Sequence, residues 1–526
     1  MARGIVIRKH VISKNGIRQL ILLAAGSLFP LALAPLFWWP LGLLSLGVLY
    51  HYLTLDQQPS GAFRTVWWYA LGQFGAGVSW VYVSMNEFGG TPAALAVLMV
   101  LLFAAGLALI PAFWFWIRKH LSDRFPGSLS WLTFPAFWFL AEWSRSWLLT
   151  GFPWLYAGDA HLESWLSGWA PVIGSLGISL ICALTASLSV AFIQHRQPMM
   201  LLAWLAWPAG FFLQSAEWTS IQGKLTVSAV QGNIAQDVKW KPEMVNPTIQ
   251  MYTDQTEALW QSDLIVWPET AVPMVMEYFQ PYLDTLDDLA REQHSGLITG
   301  IVYRHSEDSP TPGAYHNSLV SVGTSQGIYH KQKLVPFGEF IPFEEQLRGL
   351  IPFFDLDMSG FTRGSAQQPL LTVQKDGQTY PIASYICYEI AYPVLVATMA
   401  QQSALLITVS NDAWFGDSLG PKQHMALARM RALETGRYLL RSTNTGITAL
   451  VNHQGQIIRQ LPVAQRASLT AEAELRQGNT PFMLWHIWPS LILSILMILL
   501  ASTWHRCRNS SHTGTPHHGS TTVSSE

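Results

Sequence analysis

The chain has 526 residues, 50% of them hydrophobic and only 12% charged, against roughly 25% charged in an ordinary soluble domain. A net charge of −2 leaves no case for nucleic-acid binding, and three cysteines do not make a disulfide framework. The charge deficit is concentrated: residues 19–217 hold very few charged side chains and 224–480 hold most of them, which argues for a membrane part and a soluble part.

In chain order, apolar stretches long enough to span a bilayer run over 12–30, 34–54, 65–85, 91–116, 128–149, 166–194, 199–217 and 483–503. Pro30, Pro35 and Pro40 mark the turn between the first two. The first is not a cleavable signal, because apolar segments follow it immediately. The predicted organisation is a seven-span region over 1–217, a soluble domain over 218–480, a C-terminal transmembrane helix over 481–505 and a disordered tail over 506–526. In that polar tail, the pair His517-His518 is too little for a metal site.

Lys and Arg in short loops set orientation. Arg3, Arg8, Lys9, Lys14, Arg18, Arg64, Arg118, Lys119, Arg124, Arg196, Arg506 and Arg508 all fall on one side, against Arg145 alone on the other. Both termini are therefore expected in the cytoplasm and the soluble domain on the opposite face, the periplasm of a bacterial inner membrane. Trp38, Trp39, Trp67, Trp68, Trp114, Trp116 and Trp154 read as interfacial aromatics. Glu142 and Arg145, three apart near a span end, read equally as a structural ion pair or a lipid-headgroup contact.

The soluble block alternates β-branched runs with helix-like stretches. The runs cover 225–230, 264–267, 296–303, 318–322, 382–386, 405–410, 439–443 and 447–452, and the helical stretches include 245–261, 279–293 and 421–436. Segments 300–318 and 452–456 read as turns. Such alternation predicts an α/β domain. Glu269, Cys387 and the pair Asn411-Asp412 each fall just past a β-run, where α/β folds place their sites.

Three residue types in this block can perform nucleophilic acyl transfer. Cys387 lies in Ile-Cys-Tyr-Glu, away in sequence from Cys182 and Cys507. Exposed on a sharp turn, it would leave the Tyr388 amide free for an oxyanion. Its thiol needs a neighbouring base or cation to become a thiolate. Glu269 follows Pro268, which ends a strand. Its setting among Trp267, Ala271 and Val272 predicts a raised carboxyl pKa. An ammonium from Lys331 or Lys333 could hold the oxyanion. The two point to opposite faces of an extended segment, and the residues alone do not choose between them.

Four motifs carry a resemblance: Trp-Pro-Glu-Thr (267–270), Tyr-His-Lys-x-x-Leu-Val-Pro-Phe-Gly-Glu (329–339), Ile-Cys-Tyr-Glu (386–389) and Ser-Asn-Asp-Ala-Trp-Phe-Gly (410–416). Together they resemble the nitrilase, or carbon–nitrogen hydrolase, superfamily. With the spans, Thr-Gly-Phe-Pro-Trp (150–154), Val-Gln-Gly-Asn-Ile (230–234) and Arg-Ala-x-Glu-x-Gly-Arg (431–437), the chain resembles the apolipoprotein N-acyltransferase family. The resemblance implies an α-β-β-α sandwich, an acyltransferase activity and no cofactor. It implies Glu269 as general base, Lys331 as oxyanion lysine and Cys387 as nucleophile, with Glu339, Tyr388 and Glu389 in support and Trp240 near the lipid. The implied donor is a phospholipid, phosphatidylethanolamine by resemblance, and the implied acceptor a diacylglyceryl apolipoprotein. The alternative is a membrane-anchored amidase or nitrilase acting on a small substrate. A non-catalytic scaffold would have lost a member of the catalytic set, and none is lost here.

Overall fold

The computed structural model describes residues 14–121, 129–306, 309, 312–340 and 360–512. Arg3, Arg8, Lys9, Arg124, His517 and His518, and part of the predicted 300–318 turn, lie outside the described residues.

Among the described residues the soluble block builds two sheets. The first holds β1 (Ser220–Gln231), β2 (Leu264–Val266), β3 (Gly296–Arg304), β4 (Tyr315–Gly323), β6 (Ile328–His330) and β13 (Ala467–Gln477), in the order β13-β1-β2-β3-β4-β6. The second holds β5 (Ser325–Gln326), β7 (Leu371–Lys375), β8 (Gln378–Ile386), β9 (Leu405–Ser410), β10 (Leu439–Thr443), β11 (Ala449–Val451) and β12 (Ile457–Gln460), in the order β12-β11-β10-β9-β8-β7-β5. At the centre of each sheet three strands run parallel: β1, β2 and β3 in one, β8, β9 and β10 in the other.

The inner faces meet in one core, with Val227, Val266, Ile298 and Leu319 opposing Ile382, Ile407, Val409 and Leu440. The outer faces are covered by helices. Phe279, Leu283, Leu286 and Ala290 recur at helical spacing along Met276–Glu292 and are buried against the first sheet. Helices Pro393–Ala400 and Gly420–Thr435 cover the second. The expected α/β architecture is thus present as an α-β-β-α sandwich. The run at 467–477 carries alternating charges and escaped the β-branched pattern. It pairs along β1, with Lys224 and Glu472 bridging at 2.6 Å on the exposed face.

Helices occupy the apolar stretches of the N-terminal part: Lys14–Leu28, Trp39–Thr54, Pro59–Gly77, Ala93–His120, Ser130–Arg145, Ala170–His195 and Ala206–Leu213. Two of the described helical segments, Ala93–His120 and Trp165–His195, are long and apolar enough to cross a membrane by length and composition. The first and third helices pack backbone to backbone. A Cβ on Gly26 would sit 1.9 Å from Tyr69 O, and one on Gly72 would sit 2.1 Å from Leu23 O. The last helix runs from Trp488 to His512, continuing beyond residue 505 where the polar tail was expected to begin.

Two expectations for the helical part change. Glu142 and Arg145 are both buried, and no direct ion pair joins them among the described residues. Glu142 accepts from Trp138 Nε1 at 3.0 Å and Ala157 N at 2.9 Å. Arg145 donates to the carbonyls of Phe152 and Trp154 and lies over the Phe74 and Tyr156 rings. The pair fastens the loop after its helix, because a buried loop carbonyl needs a donor. Trp154 is buried rather than interfacial, and its Nε1 donates to Gln423 Oε1 across the junction with the sandwich at 2.8 Å.

Candidate active site

The site forms where the parallel strands of both sheets end. After β2, Trp267 N still donates to Ile298 O at 2.9 Å, then Pro268 ends the ladder and Glu269 turns inward. This turn lies against β3 at Gly300, where a Cβ would fall 2.4 Å from Thr270 N and 2.5 Å from Pro268 O. Only glycine allows that approach. Lys331 follows β6, its N–H donating to Asn317 O at 2.9 Å. Cys387 follows β8 at φ 53°, in the left-handed region, and opens the 3-10 turn Cys387–Ala391. For a residue with a Cβ that conformation costs about 1–3 kcal/mol, and such strain clusters at functional sites.

Glu269, Lys331 and Glu339 form a closed set. Lys331 Nζ donates to Glu339 Oε1 at 2.8 Å and to Glu269 Oε1 at 3.3 Å. Asn317 Nδ2 donates to the same two oxygens, at 2.9 Å and 2.8 Å. Asn411 N, from the other sheet, donates to Glu269 Oε2 at 2.8 Å. Lys331 is therefore the inward lysine. Lys333 is half-buried with its ammonium 5.2 Å from the Tyr392 ring centroid. Asn317 and the Asn411 amide were not singled out as partners of Glu269. The available signal was Asn317 itself, a polar side chain within the buried strand β4.

The proton affinities correct one expectation. Burial would raise the Glu269 carboxyl, but the Lys331 ammonium, Asn317 and the Asn411 amide together hold it below its ordinary value. The apolar neighbours do desolvate the carboxyl, but the ammonium of Lys331, 62 residues away in the chain, together with Asn317 and the Asn411 amide outweighs them. For Lys331 burial alone would favour the neutral amine, yet Glu339 and then Glu269 hold the ammonium well above its usual range. Desolvation pushes the Cys387 thiol up, Glu269 adds to this, and Lys331 opposes it. At rest Glu269 therefore favours the carboxylate and Cys387 the thiol. Lys239 is a further buried cation: it donates to Glu269 O at 3.3 Å, and desolvation lowers it to about 8.

Glu389 secures the catalytic turn. It accepts from Ile386 N at 2.8 Å, Gln332 N at 2.6 Å, Lys333 N at 3.1 Å and Tyr329 OH at 3.0 Å. It thereby ties the Lys331 segment to the Cys387 turn. Burial raises its carboxyl to about 7 against the pull of the backbone donors. Tyr388 OH donates to Gly151 O at 3.1 Å and Tyr392 OH to Thr150 O at 3.0 Å, joining the turn to the helical part. Trp240 is partly exposed, at 37%, after the short helix Gln236–Lys239.

This arrangement can attack an acyl carbon, hold the oxyanion with Lys331, and pass a proton through Glu269. The family model for carbon-nitrogen hydrolase matches residues 226–478, the sandwich and its site. The model for the apolipoprotein N-acyltransferase N-terminal domain matches residues 25–188 in the helical part. An apolipoprotein N-acyltransferase of Pseudomonas aeruginosa (strain LESB58) is 45% identical over 92% of this chain and 95% of its own length. The chain belongs to the apolipoprotein N-acyltransferase family. Family members of the same name from Azotobacter vinelandii (45% identity, 91% of this chain, 94% of theirs) and Vibrio cholerae (39%, 91% and 95%) match over the same extent. As in that family, the chain is an acyltransferase with a carbon–nitrogen hydrolase domain, and the helical domain sets it apart from the amidase alternative. A solved carbon-nitrogen hydrolase of Helicobacter pylori G27 is similar to this chain at 16% identity and TM-score 0.35, covering 48% of this chain and 89% of that one.

Proposed function

We propose that this apolipoprotein N-acyltransferase moves a fatty acyl chain from a phospholipid to the α-amine of the N-terminal diacylglyceryl-cysteine of apolipoproteins, through a thioester on Cys387. Glu269 takes the Cys387 proton as the sulfur attacks the sn-1 ester carbon. Lys331 and the Tyr388 N–H hold the tetrahedral oxyanion. As the intermediate collapses, Glu269 returns the proton to the leaving lysophospholipid oxygen. The acceptor amine then attacks the thioester and its proton passes to Glu269, which returns it to the departing Cys387 sulfur as the amide forms. Phosphatidylethanolamine is the donor this reading favours.

The observation that carries the reading is the ion set around Glu269. Lys331 Nζ, Asn317 Nδ2 and Asn411 N all donate to the Glu269 carboxylate and keep it ionised, a base positioned for the proton of the attacking thiol. In this reading the helical segments make eight membrane passages in a bacterial inner membrane. Both termini are cytoplasmic and the sandwich is periplasmic, in line with the Lys and Arg bias. The domain limits are then 1–217, 218–480 and 481–505, with a tail beyond.

Cys387→Ala is expected to abolish acyl-enzyme formation from a radiolabelled phospholipid. A labelled Cys387→Ala protein would sink the scheme. A reporter fused after Gln222 that is active only in the cytoplasm would overturn the orientation.

A further inference from the structure

The peptide between Cys387 and Tyr388 carries two atoms of opposite consequence. A trans peptide is planar, so its carbonyl oxygen and its N–H point in opposite directions. Whatever holds the Cys387 oxygen therefore aims the Tyr388 N–H. Cys387 does not favour this orientation by itself, because its φ of 53° is one that side chains with a Cβ avoid.

His424 holds the oxygen. Its Nε2 lies 3.0 Å from Cys387 O. A carbonyl only accepts, so Nε2 carries a proton there in either charge state of the ring. Nδ1 faces Arg441 Nη2 at 3.1 Å and Asp412 Oδ1 at 3.1 Å. Burial, then Arg441, lowers the proton affinity of the ring, so neutral His424 accepts from Arg441 and donates to Cys387. Asp412 accepts from Arg441 Nη2 at 2.7 Å and from Ser410 Oγ at 2.6 Å. The side chains of His424, Asp412 and Arg441 have no solvent exposure. From the helical part, the Trp154 ring packs 5.7 Å from the imidazole, and its Nε1 bonds the neighbouring Gln423 at 2.8 Å. The imidazole is held from both ring nitrogens and over its surface.

We propose that His424 is a positioning residue, which fixes the Cys387–Tyr388 peptide so that the Tyr388 N–H faces the developing oxyanion. Released, that peptide can rotate and present its carbonyl instead, which repels the oxyanion. This inference rests on the proposed role of the Tyr388 amide in acyl transfer.

The test separates oxyanion formation from thiol reactivity. Acylation by a phospholipid passes through an oxyanion. Alkylation of Cys387 by iodoacetamide displaces iodide at a saturated carbon and builds none. His424→Asn, whose amide is too short to reach, should lower kcat for acyl-enzyme formation about 100-fold, the lower end of what loss of one oxyanion donor costs. The donor KM and the alkylation rate should stay within about twofold of the parent. His424→Gln, which reaches further, should recover about tenfold of the loss. Equal acylation by the parent and His424→Asn would overturn the proposal, and so would acylation and alkylation falling in parallel. If His424→Asn does not fold, His424→Gln decides. A several-fold loss in kcat with alkylation unchanged supports the proposal, while no loss or a parallel loss overturns it. A Cys387→Ala protein that still carried acyl label would instead sink the thioester scheme itself, so the two failures are distinguishable.

Discussion

Glu269 lies just past β2 in one sheet and Glu389 just past β8 in the other, and both carboxylates are buried. Glu389 has the greater number of hydrogen-bond donors, yet burial leaves it raised to about 7, while Glu269 is held below its ordinary value. The difference is the Lys331 ammonium, which touches Glu269 at 3.3 Å, whereas the direct partners of Glu389 are backbone amides and a tyrosine hydroxyl. In a dry region, a full charge in contact outweighs several dipoles. In the proposed mechanism this divides the labour: Glu269 accepts the proton, and Glu389 holds the turn that carries Cys387.

The largest effect should come from removing that charge. Lys331→Met leaves Glu269 and Glu339 facing each other without a cation. Acyl-enzyme formation should fall by about 1000-fold, the upper range for loss of one oxyanion donor. Wild-type labelling in that variant would break the comparison.

Glu389→Gln comes next. It turns an amide donor toward at least one buried backbone N–H, at a cost of about 1–3 kcal/mol, read as a drop of several degrees in apparent Tm in detergent. An unchanged Tm would show that the four donors are not what holds the turn.

The pH dependence should have opposite signs at the two sites. Folded Glu389 binds its proton more tightly than the ordinary value of 4.5, so its contribution to stability is present below that pH and declines as pH rises toward about 7. Glu269 is depressed, so its contribution is present above 4.5 and is lost as pH falls through its folded value. Thermal unfolding across pH should lose its upper slope in Glu389→Gln and its acid slope in Glu269→Gln. The same slope lost in both variants would contradict the assignment.

The smallest effect on the fold is expected at Trp240, which is 37% exposed. Trp240→Ala should leave Tm within about a degree, as surface substitutions do, while raising the KM for phospholipid. An unchanged KM would remove Trp240 from the donor path.

The sequence alone determined the α/β class of the soluble block and most of its strands. Strand β9 was legible because a buried parallel strand reads as a nearly continuous apolar run. β13 was not, because an alternating charged strand needs its partner β1 to declare itself. Cys387 and Glu269, the proposed nucleophile and base, were legible as chemistry-bearing residues past strand ends. The choice of Lys331 over Lys333 came from resemblance, and its physical reason appears only in the fold, where Glu339 and Glu269 close around one ammonium. The direction of the Glu269 shift, the Asn317 bridge and the grip of His424 on Cys387 were decided by tertiary structure alone. Each joins residues far apart in the chain, and electrostatic and hydrogen-bond energies depend on distances that sequence does not contain.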